Sequence, residues 1–250
     1  RFGEAVKVLA SEAGMEMYRF TKQDKEKDEK YNKYKKIIKE YSEYSQKQLY
    51  DKKNLFALNY LKERKLSEEV IKKFQLGYIP INNFIEELLK KYSIEDIKLT
   101  GLYYFVEKNQ KYIDRFKNRI IFPIFNLSDD IIAFGGRIIK GDNLAKYINS
   151  PETEFYKKGR QLFNLNFAKD ERSNSKEVII VEGYMDVISL YSRGIKNVIS
   201  NSGTALTESQ INLIWKFFSD PIICLDGDES GQNAALRIAE KFFSLINEEY

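Results

Sequence analysis

The sequence contains no histidine among its 250 residues. Imidazole is the base in both Ser-His-Asp and Cys-His catalysis, so these two classes of enzyme are excluded. Any catalysis by this chain must therefore use carboxylates, lysine, arginine, tyrosine, serine or a bound metal ion.

Cysteine is almost as scarce, and Cys224 is its one representative. A single cysteine cannot form a disulfide within the chain, and without histidine it cannot build a structural zinc site, so the composition favours a reducing compartment. Cys224 stands between Ile223 and Leu225. This apolar setting predicts a small core residue rather than a nucleophile.

The chain also lacks any run that approaches the ~20 consecutive apolar residues of a membrane-spanning helix, so we expect no membrane partner. Its 41 Lys and Arg and 37 Asp and Glu leave a net charge of only +4. Binding to nucleic acid would then require basic residues gathered on one face. The length of 250 residues predicts one large domain or two modest ones.

The first part of the chain has a helical pattern. Residues 1–10 show helical spacing, no secretory signal and no initial methionine, which predicts a fragment of a longer protein. Residues 21–53 are dense in charge, and we predict a charged linker that passes into an amphipathic helix. Further helices are predicted over 55–66 and 68–74, the second capped by Ser67.

Beyond residue 100 the pattern changes to strands. Aromatic and β-branched runs predict strands at 102–106, 119–124 and 131–134, and the polar stretch 143–160 is predicted to be a loop. Strands at 177–181, 197–199 and 221–225 then alternate with helices at 184–191, 207–218 and 232–246. This alternation predicts a parallel sheet covered on both faces. Thr207 and Gln210 have the spacing of a capping box.

Two of the predicted parallel strands end in acids. Glu182 directly follows one strand, and Asp226 follows another, with Asp228 two positions beyond. Because the carboxyl ends of parallel strands meet at one edge of the sheet, these acids should converge there. Oxygen ligands suit Mg²⁺ or Mn²⁺. Asp186, one helical turn after Glu182, is placed to support these ligands or to bind a second ion.

The Asp226-Gly227-Asp228 turn has other interpretations. By itself it fits an ordinary strand-to-helix turn with an aspartate N-cap. It follows the start of a calcium-binding loop, but Arg237 occupies the position of the closing glutamate. It also resembles the nucleophile turn of Asp-x-Asp phosphatases, although those enzymes begin with that strand, whereas here it lies near the end of the chain.

Basic residues form three clusters ahead of the acids: Arg115, Lys117 and Arg119; Arg137, Lys140 and Lys146; and Lys157, Lys158 and Arg160. Each cluster fits a solvated surface equally well. Gly135 and Gly136, directly after predicted strand residues, indicate a close approach to the backbone, which we interpret as contact with a phosphate chain. Residues 146–150 combine a cation, an aromatic ring and amides, a mixture suited to single-stranded nucleic acid.

Taken together, these stretches resemble the RNA-polymerase core of bacterial DnaG-type DNA primases. The matching blocks occur in the same order over most of the chain: YLKER at 60–64, DRFKNRIIFPI at 114–124, FGGR at 134–137, KYINSPET at 146–153, KGR at 158–160, VEGYMDV at 181–187, GTALT at 203–207 and DGD at 226–228. The glutamate and the Asp-x-Asp pair are common to all Toprim domains. The upstream blocks are specific to primases.

The resemblance implies an α/β fold, with a mixed α/β N-terminal subdomain followed by a Toprim subdomain built on a Rossmann-like parallel sheet, truncated at both ends. It implies the trailing helix of a missing zinc domain and a linker at 1–20, the N-terminal subdomain at 21–170 and an incomplete Toprim subdomain at 171–250. The implied activity is synthesis of short RNA primers on single-stranded DNA at replication forks, by two-metal phosphoryl transfer.

The resemblance also implies the site residues. Glu182, Asp226 and Asp228 correspond to catalytic acids, and together with Asp186 to ligands of two or more Mg²⁺ or Mn²⁺ ions; zinc belongs only to the missing domain. The groove for template and nucleotide corresponds to Arg64, Arg115, Lys117, Arg119, Arg137, Lys146, Tyr147, Asn149 and Lys158.

The partners that the resemblance implies are a single-stranded DNA template, ribonucleoside triphosphates and a replicative helicase, bound through a missing C-terminal domain. A single-strand binding protein is a further candidate. The implied location is the bacterial cytoplasm at the nucleoid or, in a eukaryote, an organelle.

The sequence departs from the family pattern at three places. Lys65 replaces a favoured glycine, and Lys117 replaces an arginine, which keeps the charge but loses a bidentate contact. The chain ends before the family's further Asp-Pro-Asp motif, so we expect an incomplete metal site.

Two other functions stay open. One is a Toprim nuclease or topoisomerase, although a topoisomerase needs a strand-attacking tyrosine, for which none of the 17 tyrosines has a recognisable setting. The other is a non-catalytic single-stranded DNA-binding module of a primase-helicase, against which the retained acids argue.

Overall fold

The computed structural model describes residues 8–9, 12–13, 22–81, 84–139, 145–203 and 205–246. Most of the helix and linker predicted at 1–20 lies outside the described residues, as do Lys140 and Thr204. The chain divides into two compact units, residues 1–33 and 34–250. The candidate site lies within the second unit. Among the described residues, no helix is long and apolar enough to cross a membrane.

Helices and strands alternate irregularly in the first part and regularly in the last. The helices are α1 (Lys22–Leu49), α2 (Leu55–Glu63), α3 (Glu68–Lys73), α4 (Phe84–Leu89), α5 (Ile94–Leu99), α6 (Leu165–Ala168), α7 (Tyr184–Tyr191), α8 (Glu208–Trp215) and α9 (Glu229–Leu245). The strands are β1 (Gly77–Ile79), β2 (Tyr103–Val106), β3 (Lys111–Asp114), β4 (Arg119–Phe125), β5 (Ile131–Ile138), β6 (Tyr147–Asn149), β7 (Glu177–Val181), β8 (Val198–Ser200) and β9 (Asp220–Ile223).

Helix α1 corrects the predicted charged linker, because the segment is helical from Lys22 onwards. Its buried side chains include Tyr34, Ile37, Tyr41 and Leu49, which recur at helical spacing. Burial of this apolar stripe stabilises a helix whose other faces carry mostly charged residues.

A four-stranded antiparallel sheet with the order β1-β4-β5-β6 forms the centre of the first part, beside a β2-β3 hairpin. Every residue of β4 is buried, and the three predicted strands are confirmed. The predicted loop at 143–160 differs, since it contains β6, which places Tyr147 opposite Arg137 and Asn149 opposite Gly135. The pairing brings two predicted site segments side by side.

The predicted parallel sheet is confirmed, with the order β8-β7-β9. The Thr207–Gln210 capping box is present at the start of α8. Helix α8 ends at Trp215, earlier than predicted, and α9 begins at Glu229, because Asp228 caps it.

The prediction that Cys224 is a core residue is wrong. Cys224 directly follows strand β9 and is exposed. The neighbouring Ile222 is 41% exposed. The physical reason is that β9 lies at an edge of the parallel sheet. Among the described residues, the parallel sheet is therefore not completely covered on both faces at β9.

One hydrophobic core joins the antiparallel sheet to the parallel one. Its buried members include Phe122 of β4, Ala133 of β5, Val181 of β7 and Tyr184 of α7. Dense packing of this kind resists relative movement of the elements that share it. The core therefore fixes the site residues of the two sheets relative to each other.

Candidate functional site

Glu182 and Asp226 lie together beyond the carboxyl ends of two neighbouring parallel strands. The backbone N–H of Asp226 donates a hydrogen bond to Glu182 Oε1, with an N–O distance of 3.3 Å. Glu182 is half-buried, while Asp226 is exposed. The structure thus brings together two of the three acids that were expected to converge.

Asp186 connects these acids to a basic residue. Its Oδ2 accepts a hydrogen bond of 3.0 Å from the N–H of Gly183, at the start of α7. The pKa of Asp186 is raised by burial and by repulsion from Asp226, and the Gly183 N–H and Arg137 oppose this shift. Asp186 therefore lies within the electrostatic range of both an acid and an arginine.

Asp228 is the N-cap of α9, as expected if residues 226–228 form an ordinary strand-to-helix turn. Its Oδ1 accepts a hydrogen bond of 2.8 Å from the N–H of Gly231, in the first turn of α9. Such a cap does not use the second carboxylate oxygen.

The donor set fits a hard divalent cation by its chemistry, because it consists of carboxylate oxygens. Within the described ranges, however, no three acidic or cysteine side chains form a group close enough to hold a metal. Carboxylates repel one another until a cation is bound, and the ligand assignment for Glu182, Asp186, Asp226 and Asp228 stays a prediction.

Arg137 is the centre of an aromatic cluster. Its guanidinium carbon lies 5.0 Å from the ring centroid of Tyr147 and 5.3 Å from that of Tyr60. Its NH1 also donates to the hydroxyl of Tyr147. Arg64, at the end of α2, lies 5.4 Å from the same Tyr60 ring. The structure thus brings together Arg64, Arg137 and Tyr147, all predicted site residues.

Arg119 does not belong to the open surface. It is only 5% exposed, and its NH1 donates to the carbonyls of Ala145 and Lys146 at 2.9 and 3.3 Å. Burial lowers its pKa. Arg119 therefore supports the segment that presents the exposed Lys146, and its contact with template or nucleotide stays a prediction.

Arg115 and Lys117 lie in the turn between β3 and β4. Arg115 Nε donates to the Gly101 carbonyl at 3.0 Å, and its guanidinium lies 5.5 Å from the Tyr104 ring. Arg115 is thus held against the β2-β3 hairpin. Lys117 is exposed and available for a ligand.

Asn149 forms part of a hydrogen-bond path between the two sheets. Its Oδ1 accepts from the Tyr184 hydroxyl at 2.6 Å, and its Nδ2 donates to the Ser202 carbonyl at 3.1 Å. The Ser202 N–H donates to Ser200 Oγ, which in turn donates to the Glu182 carbonyl, at 2.9 and 2.8 Å. The amide of Asn149 therefore links β6 to the strand end that carries Glu182.

The sequence prediction missed Tyr184, Ser200 and Ser202. The polar run at 200–204, directly after an apolar strand, was the available signal. Ser202 has a φ of 60°, in the left-handed region that non-glycine residues rarely adopt.

Two cavities border this loop. The smaller one is lined by Lys158, Asn149 and Ser202 among others, so Lys158 faces the loop that the hydrogen-bond path crosses. The larger one has a volume of about 360 Å³ and opens beside Glu182, with Arg237 and Lys241 also in its lining. Neither Arg237 nor Lys241 was predicted as a site residue.

The phosphate interpretation of the glycine pair is wrong. A Cβ atom on Gly135 would overlap the ring of Tyr184, and one on Gly136 would lie 2.6 Å from Cδ1 of Phe116. The close approach inferred from the glycines is real, but aromatic rings of the protein itself make it.

Comparison with known proteins gives a consistent result. A family model described as the N-terminal domain of the DNA primase catalytic core matches residues 44–169. A Toprim domain model matches residues 176–247. The chain belongs to the DnaG-type DNA primase catalytic-core family.

Relatives within this primase family are similar along much of the chain. The DNA primase of Rickettsia felis is 35% identical over 250 residues, which cover 99% of this chain and 41% of the relative. The DNA primase of Legionella pneumophila is 36% identical over 204 residues, which cover 80% of this chain and 35% of the relative. The chain thus spans well under half the length of these curated primases.

Solved primase structures share the fold. A DNA primase domain from Pseudomonas aeruginosa superimposes with a TM-score of 0.79 at 34% identity, covering 86% of this chain and 68% of that chain. A DnaG primase catalytic domain bound to ssDNA has a TM-score of 0.76 at 31% identity, covering 84% of this chain and 66% of that chain.

The structure accounts for the glycine that the family resemblance led us to expect at position 65. Lys65 has a φ of 62°, a left-handed conformation that glycine adopts without strain. Helix α2 consequently ends at Glu63 and does not continue to residue 66 as predicted. Lysine in place of the expected glycine at position 65 therefore introduces local backbone strain next to Arg64.

Proposed function

We propose that this chain is the catalytic core region of a primase, which synthesises short RNA primers on single-stranded DNA from ribonucleoside triphosphates. The proposal includes residues 21–170 as the N-terminal subdomain and residues 171–250 as part of the Toprim subdomain. Homologous primases and the shared fold support it.

The observation that carries the proposal is the closeness of acids from two strands to a basic cluster. Glu182 is hydrogen-bonded to the backbone of Asp226. A hydrogen-bond path also joins the Glu182 carbonyl to Asn149 of β6, the strand in which Tyr147 lies opposite Arg137. A polymerase needs this arrangement, because its substrate is a polyanion that must be held while charge develops on the transferring phosphate.

The protein's own residues supply binding and orientation. We propose that the cationic groups of Arg64, Arg137, Lys146 and Lys158 neutralise phosphates, and that the Tyr147 ring offers a face for stacking. Glu182, Asp186, Asp226 and Asp228 would hold divalent cations, which when bound would neutralise the triphosphate and favour ionisation of the attacking hydroxyl. Such chemistry proceeds without histidine, since positioning and charge neutralisation dominate phosphoryl transfer.

Structural neighbours indicate the nucleic-acid partner. One is described as a DnaG primase catalytic domain bound to ssDNA, and another as a Mycobacterium tuberculosis primase RNA polymerase domain in complex with a double-stranded DNA oligomer with a 6-nucleotide overhang. We extend a single-stranded DNA template to this chain on that basis. A helicase, a single-strand binding protein and a nucleoid location are proposed from family resemblance alone.

The test is primer synthesis by the full-length protein from ribonucleotides on single-stranded DNA. We expect Glu182→Gln and Asp226→Asn each to lower the rate by about a thousand-fold or more, because each removes a charge that acts on the transition state. The matched control is Glu177→Gln, at the opposite end of β7 and exposed, which should retain full activity. Undiminished synthesis by both site variants would refute the assignment.

The same preparation separates the other two functions. Wild-type protein that binds single-stranded DNA but neither makes primers nor binds Mn²⁺ would be a non-catalytic binding module. A covalent protein–DNA adduct would indicate a topoisomerase.

A further inference from the structure

Tyr60 has no role in the site as described so far, yet two predicted phosphate-binding arginines share its ring. The guanidinium carbons of Arg64 and Arg137 lie 5.4 and 5.3 Å from its centroid. Both distances are within the ~6 Å at which a cation is attracted to an aromatic face. One ring therefore contacts cations from two different elements, the end of α2 and strand β5.

The arginines need such a contact for different reasons. Arg64 is exposed, and its side chain would otherwise sample many rotamers, because arginine loses much conformational entropy when it is ordered. Arg137 is only 8% exposed and lies within reach of the rings of both Tyr60 and Tyr147. Tyr60 thus restrains a mobile cation and helps to enclose a buried one.

The ring of Tyr60, and not its hydroxyl, makes these contacts. Among the described residues its buried hydroxyl has no hydrogen-bond partner, and neither does Nε of Arg137. A buried hydroxyl without a partner contributes no stability. Removal of the hydroxyl alone should therefore leave the arrangement intact. Removal of the ring should release the guanidinium group of Arg64 and leave that of Arg137 held from the Tyr147 side.

We infer that Tyr60 is a positioning residue, whose ring orients the guanidinium groups of Arg64 and Arg137 toward one anionic stretch of nucleic-acid backbone. This inference rests on the proposed function, because it assumes that the two arginines bind phosphates. It assigns to Tyr60 no contact with the ligand itself.

The experiment compares Tyr60→Leu, which removes the ring and keeps an apolar helix former, with Tyr60→Phe, which removes only the hydroxyl. Binding of the full-length protein to a fluorescent single-stranded oligonucleotide is measured by anisotropy over a range of salt concentrations. We expect Tyr60→Leu to raise Kd about five- to ten-fold. The slope of the logarithm of the binding constant against the logarithm of the salt concentration should become shallower by the equivalent of about one phosphate contact. Tyr60→Phe should stay within about two-fold of wild type.

A double-mutant background separates positioning from a general structural effect. In protein that carries Arg64→Gln and Arg137→Gln, the further change Tyr60→Leu should not weaken binding any more, because the groups that the ring orients are gone. This comparison also serves if Tyr60→Leu is less stable than wild type, with Tyr60→Trp as a second ring-bearing variant that should restore binding.

Three results would overturn the inference: equal binding by Tyr60→Leu and wild type, equal loss in Tyr60→Phe and Tyr60→Leu, or an undiminished effect of Tyr60→Leu in the double-arginine background. Failure of the proposed function looks different. In that case Glu182→Gln and Asp226→Asn would leave primer synthesis unchanged, an outcome that is independent of how the Tyr60 variants bind the oligonucleotide.

Discussion

The buried arginines and the acids of the candidate site are held in opposite ways. Arg119 and Arg137 are 5% and 8% exposed and are fixed by backbone carbonyls and aromatic rings. Asp226 and Asp228 are exposed, and the contacts of the acids with their surroundings are backbone N–H groups.

The difference reflects what each side has to meet. A guanidinium group stays charged when it is buried and can be fixed in advance by rings and carbonyls. Neighbouring carboxylates repel one another, and full burial without a cation would drive them to take up protons. An open acidic edge beside a packed arginine side therefore follows from the chemistry of the two kinds of group.

The glycines on the two sides offer the largest test of this contrast. Gly135→Ala should lower the free energy of unfolding by about 3 kcal/mol, because its Cβ would overlap the buried Tyr184 ring. Gly227→Ala, in the acidic turn, should change it by less than about 0.5 kcal/mol, since nothing lies within 4 Å of its Cβ position. Chemical denaturation measures both, and equal effects would break the comparison.

The packed side can also be tested through Asp114, by the dependence of the free energy of unfolding on pH. It is 6% exposed, accepts hydrogen bonds of 2.8 Å from the Tyr41 hydroxyl and the Phe116 N–H, and has a pKa raised by burial from 3.8 to about 6. Because the pKa of Asp114 is higher in the folded than in the unfolded state, its protonated form contributes stability. This contribution is fully present below the unfolded-state pKa and is lost as pH rises through about 6.

Asp114→Asn removes this loss, because the amide does not ionise. Relative to wild type, its free energy of unfolding should therefore rise by about 2 kcal/mol between pH 4 and pH 8. Denaturation of both proteins at the two pH values gives the difference. A constant offset would show that Asp114 titrates normally despite its burial.

Asp228 tests whether the acidic edge has two separable duties. Asp228→Ala should lower the free energy of unfolding by about 1 kcal/mol because the N-cap of α9 is lost, whereas Asp228→Asn should keep the cap. Both variants should weaken Mn²⁺ binding, measured by calorimetry on the full-length protein. Full Mn²⁺ affinity in the alanine variant would leave Asp228 with the cap alone.

Lys65 gives the smallest effect and concerns strain on the basic side. Lys65→Gly should raise the free energy of unfolding by about 1 kcal/mol, because glycine adopts the positive φ without strain. The matched control, Lys62→Gly in the body of α2, should lower it by about 1 kcal/mol. A loss of stability in both variants would show that the strain at Lys65 is already offset by other contacts.

Local sequence patterns predicted helices and strands better than they predicted which segments contact one another. The apolar strands and their terminal acids were predicted because side-chain periodicity and the carboxyl-end rule act over a few residues. Strand β6 was missed, since Tyr147 and Asn149 acquire their strand conformation by pairing with β5. Cys224 was misjudged because an apolar run does not reveal which strand lies at an edge.

By itself the sequence determined the chemistry available to this protein: no imidazole, acids at the ends of parallel strands, and a sufficient supply of arginine and lysine. These features depend on residue identity and short-range order. Only the tertiary structure decided which basic groups face outward and which support them, because those contacts join distant segments, such as Asn149 and Ser202, which are 53 positions apart. It also decided that the glycine pair accommodates rings of the protein, since close packing arises only when the chain is folded.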